Sequence, residues 1–368
     1  MTSAAALTIR SAVCRAIFVF DAGREIDLGA CAILAKGMLH TDADAASGAG
    51  PVSVRIEPLP VRMDVPFEAF EVAGRQVEGV AEVSAYDFGA LAVTISIPAE
   101  PDLAALRALA SALTGNHVLA AAARSIAHGV CARIAASIAG LALADLTEEY
   151  LVFEVTDFSA DRPLAELPTA CVREFASVLR AESWELSDDE AARATSTWVM
   201  QTPRDLALVD WNAALVLHER PQAVRRVLEL ANVQLLEMRF LDDKLDASLH
   251  SAYDVVSRRM FLRPVFMPDS LRESMRRIAL RQVDAAILFE RVSNALKLVG
   301  DQYLARVYRG AAKRFELDEW NGANVHKLST LDGIYQKLHD RAVSARAAML
   351  EWIVILLIAG EIVLQFVR

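Results

Sequence analysis

Seven histidines and four cysteines are the residues best able to hold a metal or act as a nucleophile, and neither set is spaced to do so. Cys14, Cys31, Cys131 and Cys171 are far apart and form no CxxC pair, so they read as buried, reduced thiols. His218 precedes Glu219, but no second histidine stands one helical turn later, as a zinc helix requires. His326 and His339 fall on one expected helix, about 20 Å apart along its axis, too far to share an ion. The glycines form neither a Walker A loop nor a dinucleotide fingerprint, and no G-x-S-x-G elbow occurs. No catalytic, cofactor-binding or metal-binding residue is assigned. No cofactor is expected, and the chain reads as a non-enzyme.

Three charged groupings remain. Arg124 and His128 stand one turn apart on an Ala-rich stretch, a pair able to bind an anion but more simply a solvated helix face. Between Val256 and Val283, Arg258, Arg259, Arg263, Arg272, Arg276, Arg277 and Arg281 are opposed only by Asp269 and Glu273. Met260, Phe261, Leu262, Val265, Phe266 and Met267 are interleaved, so the cluster reads as a membrane-surface or partner contact, or as a solvated helical tip. Glu361, Gln365 and Arg368 share one helical face near the C-terminus.

The elements that would position these residues fall into two styles. The chain has 368 residues and a formal charge of −10, which disfavours general nucleic-acid binding except through the Arg-rich tip. Cys14–Asp21, Val52–Pro58 and Leu151–Phe158 read as strands, and Gly79–Gly89 with Leu91–Pro98 as a hairpin around YDFGA. Pro101–Leu113 and His117–Leu143 read as helices. After Pro163 no segment reads convincingly as a strand. Pro221 opens a long helix to about Met260, with a hairpin tip near 261–269. A second long helix runs on to about Phe315, and EWNGAN (Glu319–Asn324) reads as a break.

The last helix is the most regular. Leu328, Leu331, Tyr335 and Leu338 begin a 3-4 spaced seam that continues through Met349, Trp352, Leu356, Ala359, Val363 and Phe366. Such a seam suits a bundle or a homo-oligomer. Met349–Val367 is strongly apolar and is expected to cross a membrane, with Glu351 at its entrance and Glu361 within it. Basic residues before it exceed those after it, which would keep the N-terminal bulk cytoplasmic beneath an inner membrane.

Several blocks carry a family resemblance: LELANVQLLEMRFLDDKLD (Leu228–Asp246), NALKLVGDQYLARVY (Asn294–Tyr308), RFELDEW (Arg314–Trp320), HKLSTLDGIYQKL (His326–Leu338) and LEWIVILLIAGEIVL (Leu350–Leu364). They resemble the bacterial branch of the "required for meiotic nuclear division" family. That resemblance implies a tail-anchored membrane protein, self-association and support of translation. It supplies no catalytic residue.

The expected fold is α+β: a mixed domain over 1–160, a helical bundle over 161–348 and a transmembrane helix over 349–367. The expected function is a tail-anchored, non-enzymatic scaffold that self-associates and holds a protein partner, one associated with the ribosome if the resemblance is followed. Two alternatives stand beside it. One is a ligand-binding or enzymatic N-terminal domain with a pocket near YDFGA. The other is a ribosome or RNA tether through the arginine tip.

Overall fold

The computed structural model describes residues 7–40, 58–182, 184–259 and 302–367. At 254–259, at 363–367 and at several positions from 335 to 349 it describes backbone only. In chain order the strands are β1 (Leu7–Asp21), β2 (Glu25–Ile26), β3 (Val61–Val72), β4 (Arg75–Ala85), β5 (Ala90–Ala99), β6 (Ile138–Ala139), β7 (Thr147–Ala160), β8 (Trp198–Val199), β9 (Leu206–Val209) and β10 (Ala213–Leu217). The helices are α1 (Leu28–Leu34), α2 (Leu103–Leu113), α3 (His117–Arg133), α4 (Leu167–Ala170), α5 (Val172–Arg180), α6 (Asp188–Ala194), α7 (Gln222–Arg259), α8 (Gln302–Arg314) and α9 (Leu317–Val367).

Eight strands form one sheet in the order β3-β4-β5-β1-β7-β10-β9-β8. Only β10 and β7 run parallel; the other pairings are antiparallel. Side chains alternate between the two faces of a strand, and here the faces differ in chemistry. Cys14, Phe18 and Phe20 of β1, Val93 and Ile95 of β5, and Phe153 of β7 join Leu106 of α2, Ile126 of α3 and Phe175 of α5 in one apolar core. The opposite face carries ionisable groups. Glu82, Thr94, Ile17 and Tyr150 stand in one row across β4, β5, β1 and β7, and Arg15 lies one row on beside Ser96 and Val152.

Caps fix the helix starts. Asp102 accepts from the Ala105 amide, and Asn116 from the amides of Val118 and Leu119, so α2 and α3 begin where a side chain satisfies orphan N–H groups. Helix α3 ends at Arg133, short of the expected Leu143, because the chain turns there to form the β2–β6 pair. Strands β8, β9 and β10 lie in a region where no strand is expected. LALV and AALVL are short apolar runs buried on both faces, and such runs show no alternation by which to recognise them.

Contacts divide the described residues into two units. One runs from β1 to Phe240 and includes α8 and the chain on to Asp318, in the first turn of α9; the other comprises α7 from Leu241 and α9 from Glu319. EWNGAN is no break, since α9 runs through it. The turn falls earlier, at Glu316, whose φ of +55° is left-handed.

The membrane span over Met349–Val367 is not borne out. Among the described residues no helix is long and apolar enough to cross a membrane. Glu351 and Glu361 bound the uncharged run Trp352–Gly360, and its nine residues rise only about 14 Å, against roughly 30 Å of hydrocarbon. Met349, Trp352, Leu356, Ala359, Glu361, Val363 and Phe366 are residues of α9, not of a transmembrane helix. The tail-anchored, inner-membrane placement falls with the span.

Candidate functional site

The first unit holds a network of charges buried between the sheet and the start of α7. Arg225 enters from the first turn of α7 and is only 5% exposed. It donates to Glu82 Oε2 at 2.8 Å and to Glu154 Oε1 at 3.1 Å. Arg15 donates to the other Glu154 oxygen at 2.8 Å and to Ser96 Oγ. Arg62 stands 3.6 Å from Glu82. One helical turn beyond Arg225, Glu229 accepts from the Tyr86 hydroxyl at 2.8 Å and from Thr94 Oγ1 at 3.5 Å. Burial works to raise the Glu82 pKa, but Arg225 and Arg62 outweigh it and hold the carboxyl below its ordinary value. The charges are matched, although Glu82 Oε1 has only the Arg62 ion pair and no hydrogen bond, and the network ties α7 to the sheet.

A second buried group lies at the other end of the sheet. Asp210, fully buried, stands 2.8 Å from Arg180 Nε and also pairs with Arg314 of α8. These contacts are at ion-pair distance without hydrogen-bond geometry. Tyr150 donates to the Asp210 carbonyl at 3.0 Å and packs edge-on against Phe315. Desolvation first, then the neighbouring Arg180, lowers the Arg314 pKa.

The positions singled out in the sequence fare differently. Tyr86 and Phe88 of YDFGA are buried, so the loop is filled where a pocket is expected. Arg124 does not face solvent as half of an anion site; it donates to the carbonyls of Ala144 and Asp145 and caps the Phe20 ring. All four cysteines are buried and free, and burial raises the Cys31 and Cys131 thiols to about 11. Among the described residues no cluster of histidine, cysteine, aspartate or glutamate could hold a metal. Arg258 and Arg259 end the backbone of α7, but their side chains, and Arg263, Arg272, Arg276, Arg277 and Arg281 entirely, lie outside the described residues.

The second unit holds the seam and the apolar end of α9. Leu331 is buried with Leu241, Leu245 and Ala252, and Leu328, Leu249 and Ile334 pack around them. Lys327 of α9 bridges Asp242 at 2.7 Å and Asp246 at 2.6 Å, so one cation pins two turns of α7. The side chains of Tyr335 and Leu338 lie outside the described residues. Further along α9 the packing stops. Leu350, Trp352, Ile353, Val354, Ile355, Leu356, Leu357 and Ile358 are all exposed, Leu357 at 68%. Seven successive residues turn through nearly two helical turns, so the apolar surface covers every side of the helix.

Reading the sequence alone missed Arg225, Glu82 and Glu154. A signal was present: each is a charge whose neighbours in period, Leu228 on α7, Ser84 on β4 and Val152 on β7, are positions that turn out buried. A buried charge needs a partner, but sequence does not say where that partner is.

The residues that build this sheet are also those that relate the chain to known proteins. Over 207 residues it is 22% identical to "Uncharacterized protein MJ0711" of Methanocaldococcus jannaschii, a match covering 55% of this chain and 62% of that relative. The chain therefore matches less than two thirds of the relative's length. No solved structure matches it. The family model described as "Uncharacterized protein MJ0711, N-terminal domain" matches residues 11–223, from within β1 to the start of α7. That match takes in all eight strands of the sheet and more than half of the chain, and so the chain belongs to the MJ0711 N-terminal domain family.

Proposed function

We propose that the protein is a non-enzymatic scaffold that self-associates through α9 and displays its sheet unit to a protein partner. The observation that carries this reading is the apolar surface of Leu350–Ile358, exposed on every side of the helix. A helix that is hydrophobic all round is a buried helix, and nothing in this chain's described residues buries it. Each large side chain there offers on the order of 100 Å² of apolar area, so the segment approaches the roughly 800 Å² per partner of a stable interface. A single partner helix covers only a stripe. A bundle of three or more copies covers a wider arc of each helix than a pair does. Leu328 and Leu331 are taken up by α7 of the same chain, so the bundle would form along the 3-4 spaced positions that follow, Trp352, Leu356 and Ala359 among them.

Sedimentation velocity of the full-length chain tests this. The wild type should sediment as a trimer or larger assembly. Replacing Leu356 and Leu357 with Lys should convert it to monomer, with far-ultraviolet dichroism and the thermal midpoint of the sheet unit unchanged. A monomeric wild type at micromolar concentration, or a variant that assembles as before, would remove α9 from the argument.

A further inference from the structure

Strand β7 is longer than the strand beside it. On one side β1 accompanies it from Thr147 to Ala160. On the other, β10 pairs only with Leu151–Val155, and the last bond on that side runs from the His218 amide to the Val155 carbonyl at 3.0 Å. From Thr156 to Ala160 the edge has no neighbouring strand and no loop backbone bonded to it among the described residues. The sequence around it explains why β10 stops. His218–Arg220 leads directly to Pro221, whose ring cannot donate to a ladder, and α7 starts at Gln222. The register of β1 against β7 also slips at this point, leaving Thr156 without an opposite residue. Such a bulge bends the strand away from the line of its partner.

The open edge is the floor of a groove of about 390 Å³. Arg162, Pro163, Leu164, Pro203, Arg204 and Glu219 complete its lining. The two prolines stiffen the walls. Along the floor Thr156, Phe158 and Ala160 are half-buried, while Asp157 and Ser159 are exposed and held by Arg10. Both faces of the strand are thus already engaged, by core and by Arg10. The unmatched feature is the row of backbone N–H and C=O groups along the edge. A five-residue edge is about 17 Å long, and its polar groups recur at the spacing of an extended chain.

We infer that this groove binds an extended peptide, which adds to β7 as a strand in the place that β10 leaves vacant. The row of backbone groups selects an extended main chain over a helix or a small molecule. The floor selects a peptide alternating apolar and polar residues, its apolar side chains over Phe158 and its polar ones on the face of Asp157 and Ser159. The site lies wholly in the sheet unit and is independent of self-association through α9, so either can fail alone.

The test uses the full-length protein and a random linear peptide library displayed on phage. Enriched peptides are made synthetically and titrated by fluorescence anisotropy. Alternating apolar and polar sequences should be enriched. N-methylation at every second residue should weaken binding by about tenfold or more in one phase of the alternation and have little effect in the other, since one phase faces β7. Glu219→Trp, at an exposed wall position, should block the groove to a similar extent without altering the fold. Hydrogen exchange of the amides from Asp157 to Ala160 should slow when peptide is bound. A library that enriches nothing, or peptides indifferent to N-methylation and to Glu219→Trp, would overturn the inference.

Discussion

Arg225 is the residue on which most of the buried polar face depends. It neutralises Glu82 and Glu154 at once, so removing it leaves both carboxylates beneath α7 without that cation. Arg225→Met should cost about 3–5 kcal/mol at neutral pH, read as a fall in the urea midpoint. The cost should shrink with acid. In the wild type Glu82 has a lowered pKa, so its contribution is present at neutral pH and lost as pH falls. In the variant, burial without Arg225 favours the protonated form, so acid relieves the penalty. A loss equal at pH 7 and pH 4 would show that Arg225 acts through packing instead. Glu149 has the opposite sign. Burial raises its pKa to about 7, and the Gly115 amide offsets this only in part. A carboxyl whose folded pKa is raised loses stability as pH rises from about 4.5 to 7. Glu149→Gln should therefore flatten the stability profile across that window and gain roughly 2–3 kcal/mol at pH 8. Glu148, also raised by burial but opposed by Arg239, contributes in the same direction and leaves some slope behind.

At the level of elements, the turn joining β4 to β5 is locked by close backbone approach. Gly89 has a φ of +103°, and a Cβ there would stand 1.9 Å from the Gly23 carbonyl oxygen. The same two segments are tied by the Ala22 amide donating to the Gly89 carbonyl and the Ile26 amide to that of Asp87, at 2.9 and 2.8 Å. Gly89→Ala demands both a conformation that L residues avoid and a shift of backbone. It should cost roughly 2–4 kcal/mol in chemical denaturation. A variant within about 0.5 kcal/mol of wild type would mean that the turn adjusts freely.

At the scale of the whole molecule, the two units rest on different forces. The sheet unit has a large apolar core on one face and ion pairs on the other. The second unit has a small cluster around Leu331 and the Lys327 bridge. Leu331→Ala should cost about 2–5 kcal/mol and raise hydrogen exchange in α7 beyond Leu241 and in α9 beyond Glu319, while the strands stay protected. Arg225 and Leu331 lie in different units and share no partner, so each variant should shift the unfolding of its own unit and leave the other unchanged. One transition shifted by both variants would show that the units unfold as one.

The strands Cys14–Asp21 and Leu151–Phe158, the hairpin around YDFGA and the long helix after Pro221 were legible from residue order, because period and turn chemistry are local properties. So was the burial of Leu331, given by its place in a 3-4 pattern. Strands β9 and β10 were not, since a short run apolar on both faces is silent about its partner until β7 lies beside it. The apolar stretch after Met349 was visible, but its fate was not. Hydropathy registers Leu350–Ile362 as a greasy helix, whereas a span depends on uninterrupted length, which Glu351 and Glu361 cut short. The network around Arg225 was beyond the reach of any one segment. Its members are Arg15, Arg62, Glu82, Tyr86, Thr94, Glu154, Arg225 and Glu229, and only the order of strands across the sheet, with α7 laid on it, brings residues so distant in the chain within hydrogen-bond or ion-pair distance of a partner. The same holds for the groove on β7. It exists because one strand outlasts its neighbour, a difference in length between β7 and β10 that has no meaning until the two are paired.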